Sequence, residues 1–128
     1  MPLRLSQPIK VAIATLAFAT TAQAHPRLVS AVPAANGTIA STNELRLTFS
    51  EMLVPQFSGM SILMTAKPGM KLAAPRAGGT VASTVAADGK TLLGTLKTPL
   101  AAGTYTLGWH VVSTDTHRLK GSYSFTVK

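Results

Sequence analysis

Residues 43–49 alternate cleanly, with Leu45, Leu47 and Phe49 on one side and Glu44, Arg46 and Thr48 on the other. A period of two over this length is the signature of a half-buried strand. The same rule places Met60, Ile62 and Met64 on one face of a strand over 57–65. It places Tyr105, Leu107, Trp109 and Val111 on one face of a strand over 104–112, with His110 turned away from them. Tyr123, Phe125 and Val127 face inward from a last strand, and an opening strand covers 28–32. Strands over 80–85 and 91–96 flank Asp88-Gly89, a dipeptide that closes hairpins. Pro33, Asn36-Gly37, Pro55, Pro68-Gly69, Gly78-Gly79, Pro99 and Gly103 punctuate the gaps, and the Ala/Gly/Pro stretch 73–79 reads as a loop.

Seven short strands with turns between them predict a single all-β domain, an antiparallel Greek-key sandwich or small barrel. The run from Pro99 to Tyr105 is similar to the approach to a tyrosine corner, in which the hydroxyl bonds back to upstream backbone; a plain core aromatic is the other reading of Tyr105. Trp109 reads as the core tryptophan.

The N-terminal pattern is different. Arg4 and Lys10 precede a short apolar run over 11–19, which softens into Ala22-Gln23-Ala24. A positive start, a short apolar stretch and an A-x-A site define a cleavable export signal, and the run falls short of the ~20 residues that span a bilayer. Residues 1–24 are therefore expected to be removed after Ala24. The product, 25–128, is an exported and, in a bacterium, periplasmic domain, with no stable membrane insertion and a monomer as the expected state. Arg4 and Lys10 leave with the signal, which takes the net charge from +8 to +6.

Composition narrows the chemistry. Cysteine is absent, which excludes disulfides, thiolate metal sites and a thiol nucleophile. Glu44, Glu51, Asp88 and Asp115 are the only acidic residues, too few for a multi-carboxylate calcium site or a large acid–base apparatus. The cations are scattered and no aromatics interleave them, so neither a nucleic-acid surface nor a basic tail is predicted.

Two places could hold a metal. Cleavage before His25 would free an α-amine, which with the near ring nitrogen can chelate one ion; that amine loses its proton at a pKa of ~8. Pro26 has no amide N–H, so the backbone cannot extend the chelate. In Asp115-Thr116-His117, residues i and i+2 of an extended backbone share a side and can converge. Together these donors make three nitrogens and one carboxylate oxygen, a set that suits tetragonal Cu(II) better than tetrahedral Zn(II). Separately, an N-terminal His is often a frayed end and an Asp-x-His often a polar loop. Glu51, at a strand end, is a candidate either to support those ligands by hydrogen bonding or to replace one of them.

The run of motifs resembles the CopC/PcoC family of periplasmic copper-resistance proteins. It comprises His25-Pro26-x-Leu28, Leu47-Thr48-Phe49-Ser50-Glu51, Gln56-Phe57-Ser58-Gly59, Met64-Thr65-Ala66-x-Pro68-Gly69-Met70, the stretch from Pro99 to Tyr105, Trp109 and Val112-Ser113-x-Asp115-Thr116-His117. The resemblance covers residues 25–128. It implies a seven-stranded Greek-key β-barrel of cupredoxin or immunoglobulin-like type, a Cu(II) site on the amine and ring of His25 with Asp115 and His117, Glu51 near that site, and an inner-membrane CopD-type partner. Some members also hold Cu(I) in a Met-rich loop. Here Met64 and Met70 remain, with Met60 nearby, but Lys67 and Lys71-Leu72 replace other soft ligands, which argues against a strong Cu(I) site. The function implied is a non-enzymatic Cu(II) carrier or sequestering protein for copper resistance or homeostasis. The alternatives are a histidine-brace copper oxidase or monooxygenase, and a metal-free immunoglobulin-like module.

Overall fold

The computed structural model describes residues 25–128 together with Pro8, Ala12 and Ala14; the expected export signal otherwise lies outside the described residues. Among the described residues nine strands follow in order: β1 Leu28–Val32, β2 Thr38–Ile39, β3 Glu44–Phe49, β4 Gly59–Lys67, β5 Met70–Ala77, β6 Ala82–Val85, β7 Thr91–Thr95, β8 Gly103–Val112 and β9 Arg118–Val127. They form two sheets, β1-β3-β7-β6 and β2-β9-β8-β4-β5. Every pairing is antiparallel except β2 with β9. No described helix is long and apolar enough to cross a membrane.

The all-β expectation holds, and seven strands become nine for two physical reasons. β2 is only two residues long and carries no period to detect. β5 runs through the stretch read as a loop, because it is an edge strand exposed on both faces apart from half-buried Leu72, so nothing enforces alternation. Pro75 is tolerated there because an edge strand has a side on which no N–H is needed.

The alternating faces meet where expected. Leu45, Leu47 and Phe49 of β3 pack against Ile62, Tyr105, Leu107, Val111 and Phe125 of the other sheet, all nearly inaccessible to solvent. Each large apolar side chain buried this way contributes about 1.5–3 kcal/mol. Met60 belongs to this core: a Cβ at Gly94 would come within 2.4 Å of its sulfur, so glycine in β7 makes the room that Met60 fills.

Two hydroxyls tie loops to the sandwich. Tyr105 donates to the carbonyl of Ala101 at 2.6 Å, which makes it a tyrosine corner. Tyr123 donates to the carbonyl of Pro33 at 2.5 Å, and burial pushes its pKa up to about 12.

The β6–β7 hairpin turns at Asp88-Gly89. Its carboxylate accepts the N–H groups of Lys90 and Thr91, each at 2.9 Å, and the Thr91 hydroxyl at 2.7 Å. These bonds, the Thr91 hydroxyl foremost, hold the Asp88 pKa below its ordinary value. A depressed carboxylate stabilises the fold above its unfolded pKa and loses that contribution as pH falls through the folded one. Asp88→Ala is therefore expected to lower the melting temperature more at about pH 7 than at about pH 3, below the ordinary carboxylate pKa, where part of the contribution is already lost. Thermal unfolding by circular dichroism at the two pH values measures this.

Candidate metal centre

The start of β1, the end of β3 and the β8–β9 loop meet at one end of the sandwich. His25 stands just ahead of β1, and it is not frayed. Pro26 is fully buried. The N–H of Arg27 donates to Ser50 Oγ at 3.0 Å, and the N–H of Ser50 donates to the Arg27 carbonyl at 2.9 Å. Ser50 Oγ also reaches the His25 carbonyl at 3.5 Å. Leu28 pairs with Phe49, so the register of β1 on β3 carries His25 to this end.

The opposite side is the β8–β9 connection. The N–H of Ser113 donates to the His117 carbonyl, and the N–H of Thr116 to the Ser113 carbonyl, both at 2.9 Å. Thr116 has φ 74°, a left-handed conformation that a β-branched residue rarely adopts. The convergence of Asp115 and His117 thus comes from a tight turn, not from the extended backbone expected for them. Strain of this kind, on the order of 1–3 kcal/mol, persists where surrounding structure over-determines it. The N–H of Thr114 donates to the Met52 carbonyl at 2.9 Å, that of Val54 to the Val112 carbonyl at 2.8 Å, and Leu53 bridges to Ser113. The segment after β3 therefore clamps the turn.

Across this junction the rings of His25 and His117 lie 4.8 Å apart, tilted by 54°. His117 Nδ1 is 3.0 Å from Asp115 Oδ2. The other Asp115 oxygen accepts from the hydroxyl of Ser113, which is buried. The Ser113 hydroxyl is the main reason that the Asp115 pKa lies below its ordinary value, with His117 adding to it. A carboxylate on Nδ1 fixes the orientation of an imidazole and directs Nε2 outward, the arrangement that supports histidine as a metal ligand.

Among the described residues, no three ligating side chains are gathered closely enough to clasp an ion. The two rings and the Asp115–His117 pair are assembled, whereas Asp115 is turned to Ser113 and His117. In the full chain the His25 nitrogen is an amide, so the α-amine expected after cleavage is absent from this arrangement. Glu51 is half-buried between Ser50 and Met52, and its carboxylate makes no hydrogen bond or ion pair among the described residues. Ser50 and Ser113 fall within the motifs that carry the family resemblance, but the sequence assigns neither its role of holding a histidine-bearing segment. The available signal for Ser113 was its i, i+2 relation to Asp115.

The methionines are apart. Met64 is half-buried, packs on the core and brings its methyl close to Gly103. Met70 is 55% exposed at the β4–β5 turn, opposite Lys67.

Fold and centre together define a small two-sheet sandwich with a histidine-and-carboxylate centre at one end. Residues 28–128 match the CopC domain family, and the chain belongs to it. It is 46% identical over 107 residues to copper resistance protein C of Pseudomonas syringae pv. tomato, covering 84% of this chain and 83% of that protein. To copper resistance protein C of Xanthomonas campestris pv. juglandis it is 42% identical over 118 residues, 92% of this chain and 91% of that one. The crystal structure of PcoC, a methionine-rich copper resistance protein from Escherichia coli, superimposes with a TM-score of 0.74 at 39% identity over 82% of this chain and all of that one. The family is one of copper resistance proteins, which agrees with copper as the ligand.

Proposed function

We propose that residues 25–128 form an exported, periplasmic Cu(II) carrier or sequestering protein, matured by cleavage after Ala24. His25 supplies its α-amine and ring nitrogen, His117 a second ring nitrogen, and Asp115 a carboxylate oxygen. The observation that carries this is the approach of the His25 and His117 rings to 4.8 Å across a junction locked from both sides. Asp115 supports it, because hydrogen bonds keep its carboxylate in the charged form a metal needs. Four protein donors would leave no open equatorial position, which favours holding the ion over turnover. This bears against the histidine-brace oxidase reading. Delivery to an inner-membrane CopD-type partner follows from the family resemblance. The packing of Met64 and the separate exposure of Met70 support Cu(II), not Cu(I), as the main cargo.

The test is Cu(II) titration of the mature protein with EPR, beside His117→Ala and Asp115→Ala. The wild type is expected to bind one ion in a tetragonal, nitrogen-rich field. Each variant is expected to bind roughly 10–100-fold more weakly, with one nitrogen lost in the histidine variant only. Unchanged affinity in both variants would overturn the assignment and leave a copper-family fold without this site.

A further inference from the structure

A groove of about 870 Å³ runs over the outer face of the five-stranded sheet, away from the core. Its floor is cut by small residues, Ser61 and Gly108. A Cβ at Gly59 would come within 3.0 Å of the His110 ring, so glycine there lets the imidazole lie down against β4. Phe57 forms one wall and is 63% exposed, unusual for a phenylalanine with no partner over it. Arg118 and Lys120 of β9 form the other; Lys120 sits directly opposite His110 across the β8–β9 pairing.

The charges in this groove are uncompensated. No carboxylate lines it. The only ion pair among the described residues is His117 with Asp115, so neither Arg118 nor Lys120 has an anionic partner. Like-charged groups side by side on a sheet face cost stability, and an anionic ligand relieves that cost. The groove is also too large for one carboxylate or phosphate and matches several residues of extended chain. Thr116, between Asp115 and His117 in the chain, also lines it.

We propose that this groove docks an acidic, extended segment of a partner protein, with Phe57 as the apolar anchor and Arg118 and Lys120 steering the charged side chains. A second copy of this chain fits poorly, because residues 25–128 have only four acidic side chains and a net charge of +6. A flat anionic membrane would meet protruding cations, not a recess with its wall on Phe57. That the partner exchanges metal with this protein rests on the carrier reading and on the place of Thr116, a lining residue, between two proposed ligands; the docking itself does not.

The probe is the synthetic peptide acetyl-Asp-Glu-Leu-Asp-Glu-Leu-amide, titrated into ¹⁵N-labelled mature protein and followed by amide shifts. Saturable shifts at Ser61, Gly108 and Lys120, weakening with added salt, are expected. Lys120→Glu and Phe57→Ala, both at exposed positions, are expected to fold and to weaken binding roughly three- to tenfold each. Cu(II) affinity measured on the same variants is expected to match the wild type. Shifts scattered over distant cations such as Arg46 and Lys97, or no saturation, would overturn the proposal. So would groove shifts that grow with protein concentration alone, or phosphatidylglycerol vesicles bound through Phe57 and Lys120 when the peptide is not. If the groove maps as expected while the wild type fails to bind Cu(II), the carrier reading falls and the docking site stands.

Discussion

One residue added ahead of His25 is expected to lower the Cu(II) affinity of the 25–128 protein by roughly a hundredfold or more, the loss that follows when one arm of a chelate is removed. The extension touches neither the fold nor an imidazole. It converts a basic α-amine into an amide, whose lone pair is delocalised into the carbonyl and which can bind only if the metal displaces its proton. The neighbouring nitrogen cannot substitute, because residue 26 is proline. The effect is expected to be large because the end is held: Pro26 is buried, and Ser50 bonds to both the N–H and, through its own N–H, the carbonyl of Arg27. A donor fixed this firmly contributes its full chelate advantage, whereas a frayed one would give back much of it in ordering entropy. Competitive titration against a chelator of known affinity, with EPR of both forms, measures the difference. An extended protein that binds as tightly and shows the same nitrogen count would mean that the amine is not a donor. His117 and Asp115 would then have to carry the ion with His25 contributing its ring at most.

The donors proposed for this centre are legible from residue types alone, and the reason is local. His25-Pro26 and Asp115-x-His117 are short, and their donor chemistry does not depend on the fold. The strands were legible for a related reason: β3, β8 and β9 bury one face each, and burial enforces a period of two. Where burial is absent the signal vanishes, as along β5, exposed on both faces. What brings the two motifs together is a matter of register and long-range pairing: Leu28 against Phe49, Leu53 against Ser113, and the Thr114 N–H on the Met52 carbonyl. These contacts join residues far apart in sequence, and no local pattern encodes them. The left-handed Thr116 was hidden for the opposite reason: threonine is a poor guide to positive φ, which glycine or asparagine would have announced. Ser50 and Ser113 carry no distinctive pattern either. A serine becomes a latch only when a neighbouring strand supplies something to hold.

Phe49→Ala is expected to cost about 3–5 kcal/mol of stability, the range for deleting a fully buried phenylalanine side chain. For a domain of this size that lowers the melting temperature by on the order of 15–30 °C. Phe49 is 1% exposed and closes β3. Its ring meets the Trp109 indole edge-on, with centroids 6.3 Å apart, and so links the two sheets directly beneath the candidate metal centre. The indole Nε1 is buried with no hydrogen-bond partner, so Trp109 is already held by packing alone. Removing Phe49 takes part of that packing away and lets water reach the indole, so the emission of this single tryptophan is expected to shift to the red. The damage is expected to extend to the site, because residue 49 is also the pairing partner of Leu28 and the neighbour of Ser50. Phe49→Leu separates the two effects. It keeps most of the apolar volume, should cost about 1–2 kcal/mol, and should hold β1 in register. At a temperature where both variants are folded, Cu(II) affinity is expected to fall for Phe49→Ala and to stay near wild type for Phe49→Leu. Equal affinities in the two would show that His25 is positioned by Pro26 and Ser50 without help from the core. A loss in both would make the ring itself, through its contact with Trp109, the support on which the centre rests.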